Sequence, residues 1–388
     1  MGRIRITGGI PLDGEVRIQG SKNAALPIMA AALLNRGTTV LKGCPRIADV
    51  FLMEKILQGL GARTRWRKDT LEICARDLDN CMADRELGEK MRSSIVLMGS
   101  LLGRCGEGIL PFPGGCVIGA RPIDLHLEAL ERLGAEFKEE KGCLRGKTRG
   151  LHGGEIFFPR SSVGATQNAV LGAVCARGTT VIRGGSAEPE VSWLCRFLNQ
   201  AGGQIRGIGT SCLVIQGVSG LHDTVFQIPP DRIAAGTYVC ASAITRGKGI
   251  LLDPPAGEMG ALLSAYEKIG GQYMYKSGKL FLCSQRAFAP LRRLETGIYP
   301  GFPTDLQSIF LAALTCARGE SLIIENIFED RFKVVPQLQK MGAQITLDGQ
   351  AARIRCGRLS GALVKAQELR GGAALVVAGL GAEGETCV

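Results

Sequence analysis

One cysteine lies in a glycine-rich segment, Pro-Gly-Gly-Cys-Val-Ile-Gly-Ala-Arg-Pro at 113–122, and Arg121 follows it five residues later. The glycines leave this backbone free to bend, and such segments often carry binding or catalytic groups. A thiol titrates near ~8.5, so Cys116 is suited to donate a proton as a thiol or to attack as a thiolate, which Arg121 favours. A small residue filling a turn is the alternative, and the glycine content favours the catalytic role.

Lys22 follows Ser21 at the start of an alanine-rich segment that is predicted to be a helix. Ser21 is a suitable N-cap, and the first turn of a helix carries unpaired N–H groups and a partial positive charge. A lysine added there makes a good contact for a phosphate or a carboxylate. The alternative is a solvated lysine beside an ordinary cap.

Asp305 follows Thr304 at the entry of an apolar segment that is predicted to be a helix. Either side chain is suited to cap that helix, and the alternative is a carboxylate that acts as a general base. Arg331 lies in a charged turn, where it is either solvated or able to clamp a planar anion. The same two interpretations apply to Arg92 and to Arg370.

The composition predicts a soluble cytoplasmic protein of two domains. The chain has 388 residues, 45% of them apolar, which exceeds what one hydrophobic core usually serves. No apolar run approaches the ~20 residues of a membrane span, and the N-terminus has no apolar signal region. The 14 cysteines are scattered without a Cys-x-x-Cys pair, which favours buried thiols, and the 3 histidines have no metal-ligand spacing, so no metal is expected.

The net charge of +11 raises the question of an anionic partner. Nucleic-acid-binding proteins usually cluster basic residues and interleave them with aromatic ones, whereas here the basic residues are dispersed and aromatic residues are 5% of the chain. Neither nucleic acid nor a membrane is therefore an expected partner. A basic solvated surface and the attraction of a small phosphorylated substrate remain as the two explanations.

An internal repeat of about 70 residues organises the chain into six related repeats. Its first turn recurs as Arg36-Gly37, Glu107-Gly108, Arg177-Gly178, Arg246-Gly247, Arg318-Gly319 and Glu383-Gly384. Its closing corner recurs as Gly61-Ala62, Gly134-Ala135, Gly202-Gly203, Gly270-Gly271 and Gly342-Ala343. The pattern predicts α/β architecture with buried helices, a domain crossing at Pro229-Pro230 and a sixth repeat that is short by about a helix and a strand.

Several motifs together resemble the UDP-N-acetylglucosamine 1-carboxyvinyltransferase family over the whole chain. They are Ser-Lys-Asn-Ala-Ala-Leu-Pro at 21–27, the cysteine segment at 113–126, Ser-Val-Gly-Ala-Thr at 162–166, Glu-Pro-Glu at 188–190, Pro-Asp-Arg-Ile at 230–233, Phe-Pro-Thr-Asp at 302–305 and Phe-Glu-x-Arg-Phe at 328–332. The resemblance implies a two-domain inside-out α/β barrel of six βαβαββ-like repeats, the enolpyruvate transferase fold. It implies one domain at 22–229 and another made of 1–21 and 230–388.

The family transfers the enolpyruvyl group of phosphoenolpyruvate to the 3′-hydroxyl of UDP-N-acetylglucosamine and releases phosphate, without a cofactor or a metal. The resemblance implies that Asp305 is the base toward the sugar hydroxyl and that Cys116 is the acid or covalent partner of phosphoenolpyruvate, with Lys22 as a third catalytic residue. It also implies substrate-binding roles for Asn23, Arg92, Arg121, Pro122, Ile123, Asp124, Leu125, Arg160, Ser162, Val163, Gly164, Ile327, Arg331 and Arg370.

The resemblance further implies a cytoplasmic monomer in peptidoglycan synthesis, which serves cell-wall biogenesis, cell shape and division and is the target of fosfomycin. Some positions depart from the family pattern, among them Arg160 in place of a frequent lysine and Glu368 in place of an aspartate. A further Asp-Arg-Gly-Tyr-Glu segment of the family is missing, which suggests a fragment. The alternatives are transfer to shikimate 3-phosphate by the sister family, which lacks the cysteine segment, and a nucleotide-sugar binder with impaired catalysis.

Overall fold

A computed structural model describes residues 2–114, 119, 122–286 and 288–388, so Cys116 and Arg121 lie outside the described residues. The chain divides into two compact units. We call residues 19–114 and 122–229 the N-terminal unit, and residues 2–18 and 230–388 the C-terminal unit.

Helices and strands alternate along the whole described chain. The helices are α1 (Lys22–Ala31), α2 (Ala48–Gly59), α3 (Arg85–Glu89), α4 (Leu97–Cys105), α5 (Asp124–Glu131), α6 (Val163–Ala173), α7 (Pro189–Gln200), α8 (Arg232–Thr245), α9 (Gly260–Lys268), α10 (Thr304–Leu314), α11 (Val335–Lys340) and α12 (Leu369–Gly381). Short 3₁₀ segments cover Ala32–Leu34, Arg92–Val96, Ala256–Glu258 and Arg331–Val334.

The strands are mostly three to five residues long. They are β1 (Arg5–Thr7), β2 (Glu15–Arg17), β3 (Thr38–Lys42), β4 (Arg63–Arg67), β5 (Thr70–Cys74), β6 (Glu107–Pro111), β7 (Glu136–Glu140), β8 (Cys143–Lys147), β9 (Glu155–Phe157), β10 (Thr179–Arg183), β11 (Gln204–Arg206), β12 (Cys212–Gln216), β13 (Thr224–Gln227), β14 (Lys248–Leu252), β15 (Gln272–Lys276), β16 (Lys279–Cys283), β17 (Leu294–Glu295), β18 (Glu320–Ile324), β19 (Gln344–Asp348), β20 (Ala351–Arg355) and β21 (Glu385–Cys387).

Each unit keeps its most apolar helices in its interior. In the N-terminal unit, every residue of α1 from Ala24 onward and every residue of α6 from Ala165 onward is buried. In the C-terminal unit, α10 is buried from Leu306 to its end. A helix that is apolar on all faces is stable only when protein surrounds it, whereas the strands alternate buried and exposed residues, as β3 does. Helices therefore form the cores and the sheets face outward.

The sheets of the N-terminal unit have the strand orders β13-β3-β5-β4, β6-β8-β7 and β11-β12-β10-β9. Those of the C-terminal unit are β15-β16-β14-β2, β17-β18-β20-β19 and β1-β21. In four of the described sheets one edge strand, such as β9 beside β10, pairs in parallel, and the other neighbouring strands are antiparallel. The βαβαββ order that the family resemblance implies is present in β9-α6-β10-α7-β11-β12 and in β13-α8-β14-α9-β15-β16.

The predicted turns and corners are confirmed as the boundaries of these elements. Five of the six turns directly precede a strand, from β3 after Arg36-Gly37 to β21 after Glu383-Gly384, and Glu107-Gly108 are the first two residues of β6. The first glycine of each corner has φ between 91° and 102°, a region that glycine adopts without a steric penalty. The five corners therefore share one backbone conformation, in which a helix ends and a hairpin begins.

The thirteen cysteines of the described residues are all free thiols, and burial raises the pKa of Cys44 and of Cys195 to about 12. In the part of the chain that the structure describes, no helix is long and apolar enough to cross a bilayer. Within the same residues, no group of three or more His, Cys, Asp or Glu side chains is arranged to hold a metal ion.

The corner conformation predicts opposite effects for two neighbouring glycines. At Gly61, φ is 101°, and an added Cβ would press on Asp79 Oδ1 and lie 3.0 Å from backbone atoms of Asp77 and Asp79. We expect Gly61→Ala to lower the free energy of unfolding by about 2 kcal/mol. Gly59 ends α2, where an added Cβ meets nothing within 4 Å, so Gly59→Ala should raise it by about 0.5–1 kcal/mol. Urea denaturation measures both changes, and equal effects of the two substitutions would contradict the assigned conformation.

Candidate active site

Lys22 is the first residue of α1, as predicted, and Ser21 caps the helix by accepting a hydrogen bond from the Ala24 amide at 3.3 Å. The Lys22 Nζ lies 2.9 Å from Asp49 Oδ2, in the first turn of α2. Only 22% of the Lys22 side chain is exposed. Lys22 is therefore not simply solvated, because an ion pair holds its ammonium group beside the positive end of a helix.

Asp124 and Arg160 form a second charged pair in the N-terminal unit. One Arg160 nitrogen, Nη2, lies 2.8 Å from Asp124 Oδ1 and 2.6 Å from Oδ2. Burial acts to raise the pKa of Asp124, but the hydrogen bond and charge of Arg160, together with backbone hydrogen bonds from Leu125 and Asp124, outweigh it and hold that pKa below its ordinary value. Asp124 is the first residue of α5, so the pair connects the start of that helix to the segment before α6.

The start of α6 is organised by a cap and by a close approach to His126. Ser162 is the N-cap and accepts a hydrogen bond from the Ala165 amide at 3.4 Å. A Cβ at Gly164 would lie 2.9 Å from His126 Cε1, so this position has no room for a side chain unless the ring shifts. Asn168 Nδ2 donates to His126 Nδ1 at 2.9 Å and to the Ile95 carbonyl at 2.8 Å. The buried side-chain amide of Asn168 thus fixes the His126 ring that lies beside Gly164.

Asp305 is shared by two guanidinium groups in the C-terminal unit. Arg331 Nη2 donates to Asp305 Oδ1 and Arg370 Nη2 donates to Oδ2, each at 2.6 Å. The cap of α10 is Pro303, whose side chain bonds nothing, so Asp305 does not serve as the N-cap. Each carboxylate oxygen can accept more than one hydrogen bond, so both keep capacity to accept a further proton donor.

Arg331 is held in place by residues that the sequence did not single out. Its side chain is 2% exposed, and its Nε donates to Thr304 Oγ1 at 3.1 Å. The Thr304 hydroxyl in turn donates to the Glu325 carboxylate, which also accepts from the Ile327 amide at 2.8 Å. Arg331 is therefore no solvated turn residue, because its orientation toward Asp305 is fixed by a buried relay.

Arg370 lies in the first turn of α12, and Glu368 caps that helix. The Glu368 carboxylate accepts from the Arg370 amide at 2.7 Å and from the Gly371 amide. It also lies 3.8 Å from Arg331 Nη1. Burial acts to lower the pKa of Arg370, but the carboxylates of Asp305, Asp231 and Glu368 together outweigh it and raise that pKa above its ordinary value. The Arg370 guanidinium is thus fully charged at neutral pH.

The structure brings together some of the predicted residues, and it places others separately at helix starts. Asp305, Arg331 and Arg370 form one cluster, and Asp124 with Arg160 forms another. Of the remaining predicted residues, Asn23, Arg92, Ile123, Gly164 and Ile327 are half-buried, Leu125 is buried, and Pro122 and Val163 are exposed.

The sequence did not indicate that Asp49 pairs with Lys22, or that Thr304 and Glu325 hold Arg331 in place. Glu325 directly follows the apolar end of β18 and is 1% exposed, a pattern that signals a buried carboxylate. Asp49 gave no such signal, because it is one of many acidic residues in a first helical turn. Its pairing with Lys22 depends on how α1 and α2 pack.

Comparisons with known proteins place these features in context. The family model of EPSP synthase (3-phosphoshikimate 1-carboxyvinyltransferase) matches residues 6–388. UDP-N-acetylglucosamine 1-carboxyvinyltransferase 2 of Caldanaerobacter subterraneus is 45% identical over 100% of this chain and 93% of its own length. UDP-N-acetylglucosamine 1-carboxyvinyltransferase of Oleidesulfovibrio alaskensis is 41% identical over the same shares of the two chains.

Solved structures with the same fold have lower sequence identity. The enolpyruvyl transferase NikO from Streptomyces tendae superposes with a TM-score of 0.87 at 20% identity, covering 99% of this chain and 92% of that one. EPSP synthase from Acinetobacter baumannii superposes with a TM-score of 0.76 at 17% identity, covering 99% and 93%. These matches confirm the predicted enolpyruvate transferase fold.

Proposed function

Since the chain belongs to the EPSP synthase family and, within it, to the UDP-N-acetylglucosamine 1-carboxyvinyltransferases, we propose that it makes enolpyruvyl-UDP-N-acetylglucosamine. The single observation that carries this function is identity of 41–45% along the whole chain to relatives of that name. The substrates are phosphoenolpyruvate and UDP-N-acetylglucosamine, and phosphate is the second product.

The reaction is an addition followed by an elimination. The 3′-oxygen of the sugar bonds to C2 of phosphoenolpyruvate while its proton is removed and C3 gains a proton. The tetrahedral product then loses phosphate from C2 and a proton from C3, which restores the double bond. The reaction involves no net oxidation or reduction of the carbon atoms. The chemistry therefore requires proton transfer and charge stabilisation rather than a redox cofactor.

Asp305 is our candidate for the base that removes the sugar proton. Its two hydrogen bonds from Arg331 and Arg370 orient the carboxylate, and its oxygens can still accept a proton. Two guanidinium groups at 2.6 Å also weaken it as a base. We propose that the anionic groups of phosphoenolpyruvate draw charge from these arginines, so that Asp305 becomes more basic when that substrate is bound.

The cations named by the family resemblance supply the complementary charge. Lys22, Arg92, Arg121 and Arg370 are proposed to bind the phosphate and carboxylate of phosphoenolpyruvate, while Asn23 and Arg331 orient the substrates. Lys22 lies at a helix start, which favours an anion there for the reason given above. The residues proposed to hold the nucleotide sugar are Pro122, Ile123, Asp124, Leu125, Arg160, Ser162, Val163, Gly164 and Ile327.

We further propose that the protein works as a monomer in the cytoplasm and supplies peptidoglycan synthesis, and through it cell shape and division. Both substrates carry several charges, which a bilayer excludes, so the reaction belongs where they are made. Each unit buries an apolar core of its own, so neither core requires a second copy of the chain to cover it, and this supports a monomer. Aromatic residues are only 5% of the chain and its basic residues are dispersed in the sequence, so we do not propose nucleic acid as a partner.

Acceptor choice tests the proposed function directly. We expect phosphate release from phosphoenolpyruvate with UDP-N-acetylglucosamine and none above background with shikimate 3-phosphate. A coupled phosphate assay with each acceptor at equal concentration measures this. Release with shikimate 3-phosphate alone would assign the sister activity, and tight binding of the nucleotide sugar by calorimetry without any release would leave a binding protein.

The base role of Asp305 predicts a loss of turnover that is separate from binding. Asp305→Asn keeps the shape and the hydrogen-bond acceptor toward one arginine but removes the basic carboxylate. We expect kcat to fall by about a hundredfold or more, which is what general-base catalysis typically contributes. The nucleotide sugar should still bind in calorimetry.

Asp348→Ala is the matched control for Asp305→Asn, because it removes an exposed carboxylate at the end of β19 in the same unit. Circular dichroism should show that both variants are folded. Wild-type turnover in a folded Asp305→Asn variant would remove Asp305 from the role of base.

Cys116 is proposed to be the proton donor or covalent partner of phosphoenolpyruvate, and the epoxide fosfomycin tests its reactivity. We expect fosfomycin to alkylate the wild-type chain once, and peptide mapping should find the adduct on Cys116. Cys105 is the control because it is an exposed thiol whose pKa is raised by burial of the sulfur. Cys105→Ser should react like the wild type and Cys116→Ser should not react, whereas an adduct on Cys116→Ser would contradict the assignment.

A further inference from the structure

A cavity of about 330 Å³ lies at the far end of the N-terminal unit's central helices from the predicted site residues. Its lining includes Leu34, Arg104 and Cys175. Leu34 ends the 3₁₀ segment after α1, Arg104 lies in the last turn of α4, and Cys175 lies just beyond the end of α6. Lys22 and Val163 begin α1 and α6. At a rise of ~1.5 Å per residue, the two ends of these helices are roughly 15–20 Å apart. The cavity therefore does not include the residues proposed for catalysis.

Three arginines line this cavity, Arg36, Arg104 and Arg177, and its lining includes no acidic residue among those that the structure describes. Arg36 and Arg177 are exposed, and their guanidinium groups make no hydrogen bond or ion pair with any other described residue. Asp77, the carboxylate that acts on Arg104, pairs with Arg63 at 3.4 Å. The positive charge at the cavity is thus largely uncompensated by carboxylates.

Arg104 differs from the two exposed arginines because it is half-buried and structurally engaged. Its Nη2 donates to the carbonyls of Ala75 and Arg76, at 2.8 and 2.9 Å, while its buried Nη1 has no partner among the described residues. Burial, and then the charge of Arg36, lower the pKa of Arg104. The two guanidinium groups therefore repel each other, and an anion between them would relieve that repulsion.

Compensation of helix dipoles accounts for only part of this charge. Each helix C-terminus carries roughly half a negative charge, so three of them offset about 1.5 of the three positive charges. The balance remains positive by about 1.5 charges. If the arginines served only to offset the helix dipoles, less positive charge would be enough than the three arginines of the cavity carry.

Hydrogen-bond donors complete the lining. The backbone N–H groups of Ser219 and Gly220, and the Ser219 hydroxyl, donate to no other described residue, and both residues line the cavity. Burial raises the pKa of Cys175 to about 11, so this residue contributes a neutral thiol. Guanidinium forks, free amides and a hydroxyl are the donors that phosphate oxygens accept.

We propose that this cavity is a second anion site, which binds a phosphate dianion, either free or carried by a small metabolite, through Arg36, Arg177 and the 219–220 backbone. A cavity of this size falls at the lower end of the range for small-molecule sites, about 300–1,000 Å³. Two of its cations are exposed, so binding weakens as ionic strength rises. The site does not depend on the proposed catalytic residues.

Calorimetry with inorganic phosphate at pH 8 and constant ionic strength tests the second site. The variant is Arg36→Gln with Arg177→Gln, which leaves the structural Arg104 in place. We expect the wild type to bind one phosphate more than the variant, or the variant's affinity for that phosphate to fall at least about tenfold. Phosphate is also a product of the proposed reaction, so if that function is right, one further phosphate binds to both proteins, and if it is wrong, none does.

The matched control is Arg246→Gln with Arg318→Gln, which removes two exposed arginines from the equivalent repeat turns of the C-terminal unit. This control should bind as many phosphates as the wild type. Identical isotherms for the wild type and the Arg36/Arg177 variant, or an equal loss in the control, would overturn the proposal. Glycerol phosphate in a second series distinguishes a metabolite from free phosphate, since tighter binding of the ester identifies a metabolite site.

Discussion

Complete burial of the central helices is the constraint from which the rest of this structure follows. A helix such as α1, α6 or α10, which is buried on every face over most of its length, can present polar groups to a ligand only at its two ends. Four N–H groups are unsatisfied at one end and four carbonyls at the other. The residues proposed for substrates accordingly stand at N-terminal ends, as Lys22 and Asp305 do, while arginines gather at the C-terminal ends in the N-terminal unit.

The pairing of Asp305 with two arginines shows how a buried cation can be kept near a reacting group. Arg331 is almost fully buried, and removal of one partner from a buried ion pair typically costs about 3–5 kcal/mol. Without Asp305, the nearest carboxylate would be that of Glu368, at 3.8 Å. Two adjacent guanidinium groups favour the ionised form of the carboxylate. Under the proposed function, an anionic substrate that competes for these guanidinium groups makes Asp305 more basic. Substrate binding and activation of the proposed base are then coupled through one set of hydrogen bonds.

Sequence alone predicted what depends on local backbone chemistry. The recurrent turns and glycine corners follow from left-handed φ and from strand starts, and the Ser21 cap follows from the side chain of one residue beside one helix. Tertiary pairs were not predictable in the same way. Lys22 with Asp49 joins two helices, and the relay from Glu325 through Thr304 to Arg331 joins a strand end, a helix start and a turn. The residues that flank a basic side chain in the sequence do not determine which distant carboxylate it will contact.

The charge balance around Asp305 shows that its cluster cannot bind an anionic substrate unaided. Asp305, Glu325 and Glu368 contribute three negative charges against the two of Arg331 and Arg370, and Asp231 also acts on Arg370. The Glu368 carboxylate accepts hydrogen bonds from the first amides of α12. Glutamate is one methylene longer than the aspartate of the family pattern, and this helix cap accommodates the added length. A net negative cluster suits proton removal from a hydroxyl and opposes a phosphate ester. Arg370 therefore needs further cations from outside this cluster to hold phosphoenolpyruvate, which is the role we propose for Lys22, Arg92 and Arg121.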